Sequence, residues 1–231
     1  MIRFDLLSAV PELLVSPLNH SIVKNARDKA LLDVHLHDLH DYSEDKHRKI
    51  DDTPYGGGAG MVMSPQPIYS CIQQLLSERP YDEIVFMAPD GIPFTQTEAN
   101  MLSTKKNIII LCGHYKGVDH RIRDHVITRE YSIGDYVLSG GELPALVIVD
   151  AVARLIPGVI GDAENALKDS FQDGLLDCEA YTRPATFNGW KVPEVLTGGD
   201  HAKIEKWRHE NALERTKRLR PDMYETYLNE Q

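Results

Sequence analysis

The stretch that decides the fold is Tyr131-Ser-Ile-Gly-Asp-Tyr-Val-Leu-Ser-Gly-Gly-Glu-Leu-Pro144. It holds three glycines and a proline, and the apolar segment behind it, Ala145–Pro157, predicts a buried helix. Glycines between apolar elements indicate backbone that lies close to a ligand or to another strand. We therefore predict that a small molecule binds at this stretch.

Two further turns are expected to line the same pocket. Met87–Gly91 follows the apolar run Ile84–Phe86, and Cys112–Gly117 follows the run Asn107–Leu111. Each run predicts a buried strand, and in open α/β sheets ligands bind at the carboxyl ends of the strands. Three converging loops would make a site lined mainly by main-chain groups.

The order of elements predicts an α/β protein with a mainly parallel sheet. Met1–Leu7 predicts an opening strand, and strand and helix patterns alternate from Ile84 to Leu138. The glycine-rich stretch lacks both the P-loop and the dinucleotide-binding signatures, so the ligand need not carry phosphates. Three more helices and one strand are predicted: helices over Ser8–Leu32, Pro65–Leu76 and Thr95–Leu102 (the last opened by a capping box) and a strand over Leu31–Leu39.

A change of composition near Gly161 predicts a domain boundary. Gly161–Gly174 is polar and acidic with few apolar anchors, which is typical of a flexible linker. The sequence beyond it indicates a small α-helical domain. We predict an α/β domain over residues 1–160, a linker over 161–174 and a helical domain over 175–231.

Composition restricts the class of protein. The 231 residues are 42% hydrophobic and 26% charged, as in ordinary globular proteins, and no apolar run reaches the ~20 residues of a membrane span. The three cysteines form no C-x-x-C pair, which argues against a disulfide framework or a zinc ribbon, and a reducing cytoplasm is expected. The net charge of −10 argues against a protein that coats nucleic acid.

One segment departs from this acidic average. Lys203–Arg220 holds seven basic and three acidic residues, a local net charge of +4, with Trp207 among them. A solvated helix face and an RNA-binding surface both fit this pattern.

Several side chains have a structural and a functional interpretation. His35 and His37 share one face of a predicted strand, where they fit a metal site or, more often, an exposed edge, so no metal ligand is assigned. Cys112 fits a nucleophile or, more often, a small buried residue. Arg154, on an apolar helix, fits an ion pair with Asp150 or a donor that stabilises developing negative charge.

Seven motifs together carry a family resemblance. They occur in this order: Tyr55–Met61, Ile133–Ala145, Asp150–Gly158, Asp169–Phe171, Asp173–Asp177, Tyr181–Pro184 and Gly199–Ala202. This set resembles the bacterial tRNA (guanine-N1)-methyltransferase family, TrmD, of the SPOUT class. The resemblance runs from the first strand to the C-terminal helices.

The resemblance implies a fold, a cofactor and partners. SPOUT enzymes form a deep trefoil knot that binds S-adenosylmethionine, and the family works as a homodimer with active sites at the interface. The implied substrate is the guanosine 3′ of the anticodon, bound through the tRNA anticodon stem-loop by the basic C-terminal domain. The implied cofactor-binding residues are Pro89, Gly113, Ile133, Gly134, Asp135, Tyr136, Val137, Leu138, Gly140, Gly141 and Pro144.

The resemblance also assigns catalytic roles. Asp169 would take the proton from guanine N1, and Arg154 would stabilise the negative charge that develops on O6. The family has an acidic residue where this chain has Lys116, and that charge reversal argues against the magnesium assistance known in the family. A SPOUT ribose 2′-O-methyltransferase and a non-catalytic RNA-binding module remain as alternatives.

Overall fold

The structure is a computed structural model that describes residues 1–160 and 169–229. The chain divides into two compact units, Met1–Ala163 and Glu164–Gln231, and each is described by itself. Of the predicted linker over 161–174, residues 161–168 lie outside the described part of the chain.

A five-stranded parallel sheet forms the centre of the first unit, in the order β2-β1-β6-β5-β7. The predicted parallel α/β fold is therefore confirmed. A short antiparallel pair, β3 with β4, lies outside this sheet. The strands are β1 Ile2–Ser8, β2 Leu32–Asp38, β3 Asp51–Asp52, β4 Val62–Met63, β5 Glu83–Pro93, β6 Asn107–Cys112 and β7 Arg129–Ser132.

Six α-helices and one 3₁₀ turn (Leu39–Tyr42) are described in the first unit. The helices are α1 Glu12–Leu18, α2 Ser21–Asp28, α3 Pro65–Glu78, α4 Gln96–Ser103, α5 His120–His125 and α6 Glu142–Ala153. Helix α6 is the helix predicted over Ala145–Pro157; it begins three residues earlier and ends before Pro157.

Both faces of the sheet are covered by apolar side chains. Ile108 and Ile110 of β6 belong to one buried cluster, and Ile109 and Leu111 belong to a second. Successive side chains of a strand point to opposite faces, so the two clusters lie on opposite sides of the sheet. A strand buried on both faces needs an unbroken apolar run, which is why β6 was visible in the sequence.

The prediction of one helix over Ser8–Leu32 is wrong. Ser8 ends β1, and the helical region breaks at Asn19 into α1 and α2. Asn19 donates its side-chain amide to the carbonyl of Val15, and Arg27 donates to the carbonyl of Leu18 at 3.0 Å. These bonds satisfy the last carbonyls of α1, so that helix can end there without leaving acceptors unpaired.

The capping box predicted at Thr95 is also wrong. Thr95 precedes α4, but its side chain makes no capping hydrogen bond. Glu98, the expected partner, instead accepts a hydrogen bond from the hydroxyl of the fully buried Tyr131 and lies 3.8 Å from Arg129. Tertiary partners therefore replace the local capping interaction.

Strand β5 extends beyond the turn predicted at Met87–Gly91. Its pairing with β7 runs to Met87, skips four residues and resumes at Ile92, which again faces Tyr131. The predicted turn is thus a bulge in the pairing of β5 with β7, and β5 does not end there.

A buried carboxylate holds together the amino-terminal strands. Asp5 of β1 is fully buried; it accepts hydrogen bonds from Arg3 and from the Tyr81 hydroxyl at 2.7 Å, and it lies 2.8 Å from His37 Nε2. Burial alone would raise the pKa of Asp5, but the bonds from His37, Arg3 and Tyr81 outweigh it and hold that pKa well below its usual range.

Asp5→Asn is expected to lower the free energy of unfolding at pH 7 by about 2 kcal/mol, because it removes the charge that three donors face. The folded-state pKa of Asp5 is depressed, so its contribution is complete above the unfolded-state value of about 4 and is lost progressively as the pH falls from there towards the lower folded-state pKa. Urea unfolding of both proteins at pH 7 and pH 3 checks this. An equal difference between the two proteins at both pH values would contradict it.

The second unit contains three described helices and a hairpin. The helices are α7 Glu194–Thr197, α8 His201–Leu219 and α9 Pro221–Asn229, and the hairpin pairs β8 Thr186–Phe187 with β9 Trp190–Lys191. In the part of the chain that the structure describes, no helix is long and apolar enough to cross a membrane.

Candidate active site

Three loops of the first unit meet at one edge of the sheet. They are the bulge within β5 and the segments after β6 and β7, and these three strands are neighbours in the parallel sheet. The loops enclose a cavity of about 320 Å³. This volume lies at the small end of the range of ligand pockets.

The cavity wall is mostly apolar. Its described residues are Phe86, Met87, Ala88, Pro89, Gly113, His114, Tyr115, Lys116, Gly117, Tyr131, Ser132, Ile133, Gly134, Tyr136, Val137, Leu138, Ser139, Gly140, Gly141 and Pro144. Ten of the eleven residues predicted to bind the cofactor are brought together here. The exception is Asp135, which is exposed and is not part of the wall.

The start of α6 is fastened to the end of β6. The N–H of Gly141 donates to the carbonyl of Gly113 at 2.7 Å, and His114 pairs with Gly140 in an antiparallel bridge. A Cβ on Gly141 would lie 2.7 Å from Gly113 N and 2.8 Å from Cys112 Cα. Only glycine permits this approach of two backbones, which explains why the sequence places glycine before the helix.

Gly141→Ala is expected to lower the free energy of unfolding by about 1 to 3 kcal/mol, because the added methyl group must push the β6 loop away. Thermal unfolding measures the effect. Gly198→Ala is the matched control, since its Cβ would lie 3.6 Å from the nearest atom, at ordinary contact distance. A Gly141 variant as stable as the control would contradict this account of the junction.

A buried carboxylate also fixes α6 to the first strand. Glu142, in the first turn of α6, is 2% exposed and accepts a hydrogen bond of 2.7 Å from the hydroxyl of Ser8. The Ser8 hydroxyl in turn accepts from the N–H of Val10 at 2.8 Å. A carboxylate at this end of a helix also complements the helix dipole.

Cys112 is a packing residue. It is fully buried in the core at the end of β6, and burial raises the pKa of its thiol well above the ordinary value, with Glu142 adding to the effect. A buried thiol that stays protonated is inert as a nucleophile. The structural interpretation of Cys112 therefore holds.

The histidines of β2 interact with carboxylates. His37 bonds to the buried Asp5, and His35 Nε2 lies 2.7 Å from Asp33. Within residues 1–160 and 169–229, no group of three His, Cys, Asp or Glu side chains could hold a metal ion.

The residues predicted to carry the chemistry lie in different units. Arg154 is half-buried and caps the carboxyl end of α6 in the first unit. Asp169 belongs to the second unit, where its carbonyl accepts from the N–H of Gln172 in a tight turn. Their roles stay predictions.

The loop that carries Asp169 is anchored within the second unit. The Ser170 hydroxyl accepts from the N–H of Asp177 at 2.8 Å, and the hydroxyl of the fully buried Thr216 on α8 accepts from the N–H of Leu176 at 2.9 Å. Residues 169–177 thus form a hydrogen-bonded loop, including the last six residues of the predicted linker.

The predicted cofactor-binding residues left out several residues of the cavity wall, among them Tyr115, Lys116 and Tyr131, although all three lie in stretches predicted to line the pocket. Tyr115 and Lys116 lie inside the predicted turn Cys112–Gly117, so the turn was found but the side chains were not assigned. Tyr131 opens the glycine-rich stretch Tyr131–Pro144 that was predicted to bind the ligand, and the pairing of β7 with β5 brings it to the wall.

Comparison with known proteins identifies the family. The family model for tRNA (guanine-1)-methyltransferase TrmD matches residues 2–226. The chain belongs to this family. A tRNA (guanine-N(1)-)-methyltransferase of Flavobacterium johnsoniae is 60% identical over 97% of this chain and 100% of its own length.

Two other similar proteins carry the same name, tRNA (guanine-N(1)-)-methyltransferase. Those of Chlorobium luteolum and Bacteroides fragilis (strain ATCC 25285) are each 56% identical, and the matches cover 96% of this chain and 96% and 99% of theirs. Membership over nearly the whole chain makes this protein an enzyme, a tRNA (guanine-N1)-methyltransferase, and methyl transfer in this family uses S-adenosylmethionine.

The cavity fits such a cofactor. Its volume and apolar wall suit a nucleoside, and at Gly141 the chain packs directly against the backbone of Cys112 and Gly113. The adenosyl group carries no phosphate, in keeping with the absence of a phosphate-binding signature in the sequence.

Proposed function

We propose that the enzyme binds S-adenosylmethionine in this cavity and methylates N1 of the guanosine immediately 3′ of the tRNA anticodon. The observation that carries the proposal is the cavity at the carboxyl edge of β5, β6 and β7, in a chain of this family. When bound, the cofactor would supply a sulfonium methyl group as the electrophile; the electron pair of the broken S–CH3 bond would stay on sulfur, and S-adenosylhomocysteine would be the leaving group.

The main chain of the three loops would hold the cofactor. The segment from Ile133 to Leu138 would offer backbone donors and acceptors to the adenine, and Gly113, Gly140 and Gly141 line the same cavity without side chains of their own. Pro89 and Pro144 add rigid apolar contacts. Holding both reactants in place supplies much of the acceleration in a two-substrate transfer.

Asp169 would act as the general base. Guanine N1 carries a proton at neutral pH, so it has no lone pair in the ring plane to offer. As the carboxylate of Asp169 accepts this proton, the electrons of the N–H bond become the lone pair that forms the new N1–methyl bond. General-base catalysis by a positioned carboxylate contributes about 10²- to 10⁴-fold.

Arg154 would stabilise the charge that this deprotonation creates. Negative charge spreads from N1 onto O6 as the proton leaves, and a guanidinium donates hydrogen bonds to such an oxygen from a fixed planar arrangement. The half-buried position of Arg154 at the end of α6 supports the role, because partial exclusion of water strengthens the interaction.

The chain path around α6 supports a trefoil knot. After β7, at one edge of the sheet, the chain returns to the end of β6, where Gly141 bonds to Gly113, and α6 then packs against α1 and α2 and beside β1. We propose that this return passes through the loop after β6 and that the knot forms the cofactor site.

An apolar surface on α1 and α6 supports a homodimer. Leu13 and Val15 of α1 and Leu143 and Val147 of α6 are each at least 45% exposed, and the two helices pack against each other. Exposed apolar patches of this kind mark interaction surfaces. We propose that a second copy covers them and that the active sites lie at this interface.

Helix α8 is the proposed tRNA-binding surface. It carries the basic segment Lys203–Arg220, and its ion pairs, such as Lys206 with Glu210, are exposed. Exposed pairs are weak, so phosphates can compete for the basic side chains. We propose that residues 1–160 form the knotted cofactor domain and that 175–231 form the helical domain that binds the anticodon stem-loop.

Methyl transfer to matched transcripts tests the proposal. With labelled S-adenosylmethionine, a tRNA transcript that has guanosine after the anticodon should be methylated, and one with adenosine at that position should not. Label in both transcripts at equal rates would overturn the assigned position.

A further inference from the structure

The described part of the cavity wall carries very little charge. Among the described residues that line the cavity, Lys116 is the only one with a fixed charge; the remainder are neutral, apart from the titratable His114. The amino-acid end of the cofactor carries a carboxylate as well as an ammonium group. Lys116 is thus the residue of this wall that can form an ion pair with the carboxylate.

The backbone of Lys116 is fixed by its neighbours. Its N–H donates to the carbonyl of Met61 at 3.0 Å, and the N–H of Met63 donates to the carbonyl of Gly117 at 2.9 Å. Met63 also pairs with Val118 in a parallel bridge. The loop after β6 is therefore tied on both sides of Lys116 to the glycine-rich segment that ends in β4.

The side chain of Lys116 lies along Gly60. A Cβ on Gly60 would be 2.9 Å from Cε of Lys116 and 3.0 Å from its Cδ and Cγ, and Gly60 has a φ of +93°. The bare Cα of Gly60 leaves room for the aliphatic part of the lysine. The aliphatic part of Lys116 thus packs along Gly60, and this contact sets the position of the ammonium group at the end of the lysine side chain.

The ammonium group is available to a ligand. Within residues 1–160 and 169–229, no hydrogen bond or ion pair engages Nζ of Lys116, although the residue is exposed and lines the cavity. An unpaired cation at the cavity fits an anionic group of the ligand.

We propose that Lys116 binds the carboxylate of the amino-acid end of S-adenosylmethionine and that Gly60 positions its side chain. The inference rests on the proposed cofactor site. Lys116 would make the enzyme prefer S-adenosylmethionine over its decarboxylated analogue, which has the same sulfonium and ammonium groups. Because the residue is exposed, the preference is expected to be about tenfold, below that of a fully buried charged pair.

Calorimetric titration of both ligands tests the proposal. The wild-type enzyme should bind S-adenosylmethionine about tenfold more tightly than the decarboxylated analogue, and Lys116→Met should bind the two equally. Lys116→Glu should prefer the decarboxylated analogue, because the new charge repels a carboxylate. Lys46→Met, which removes an exposed lysine outside the cavity wall, is the matched control and should behave as wild type.

Gly60→Ala tests the positioning role. The added methyl group should displace the lysine and reduce the preference for S-adenosylmethionine, while the decarboxylated analogue binds with nearly unchanged affinity. An equal loss for both ligands would mean that Gly60 only maintains the shape of the pocket and would overturn this part of the proposal.

Three outcomes would overturn the role of Lys116. A Lys116→Met enzyme that keeps the tenfold preference would place the carboxylate on another group. An enzyme that loses both ligands equally would give Lys116 a structural role. Unchanged affinity for both ligands together with weaker tRNA binding would assign Lys116 to an RNA phosphate. If instead the wild-type enzyme bound neither ligand, the proposed cofactor site itself would fail.

Discussion

Asp169→Asn is expected to lower the single-turnover rate of methyl transfer by about 10²- to 10⁴-fold. The amide has the shape of the carboxylate but cannot accept the N1 proton, so the nucleophile is not formed. The affinity for S-adenosylmethionine should stay within about twofold, because the proposed base acts on the nucleobase. Rapid mixing of excess enzyme and labelled cofactor with tRNA measures the rate, and calorimetry measures the affinity.

Asp173→Asn provides the matched control. Asp173 lies in the same loop, where its Oδ1 accepts from the N–H of Leu175 at 3.2 Å, and an asparagine retains that acceptor. This variant should react at nearly the wild-type rate. If both variants lost activity equally, the loop would matter only through its conformation, and the role of Asp169 as base would be refuted.

Arg154→Met should reduce the single-turnover rate by about 10²- to 10³-fold, the range seen when a donor to a developing oxyanion is removed. Methionine keeps a long side chain that can pack at the end of α6 but removes the charge and the hydrogen bonds to O6. The effect should appear in the rate at saturating tRNA and cofactor, because the charge exists only as the reaction proceeds.

Arg154→Lys separates charge from geometry. Lysine restores the positive charge without the planar, two-pronged donor, so it should recover part of the lost rate. A different result, in which Arg154→Met raises only the KM for the cofactor or tRNA and leaves kcat unchanged, would make Arg154 a binding residue rather than a stabiliser of O6.

Local patterns in the sequence were enough to find the main elements. The run Asn107–Leu111 predicts β6 because a strand buried on both faces needs apolar residues at every position. The break between α1 and α2 was missed because it depends on Arg27, which bonds back to Leu18 only after the chain has turned. The capping box failed for a similar reason, since Glu98 is engaged by Tyr131 from a different element.

From the sequence, only the glycine-containing segments of the candidate site could be predicted. The glycines at 113, 140 and 141 identified the loops that form the cavity, because a Cβ there would collide with backbone at Gly141, with Phe86 at Gly113 and with Glu142 at Gly140. The strand order that places those loops side by side depends on long-range pairing that no local pattern encodes. The contact of Lys116 with Gly60, fifty-six positions apart in the chain, was invisible for the same reason.

The central claim is that Asp169 removes the N1 proton of the target guanine so that N1 accepts the methyl group. Its most direct test is mass spectrometry of nucleosides from tRNA methylated in single turnover by the wild-type enzyme and by Asp169→Asn. The account predicts 1-methylguanosine as the wild-type product and almost none from the variant in the same time. A 2′-O-methylated nucleoside, formed at equal rates by both proteins, would contradict it.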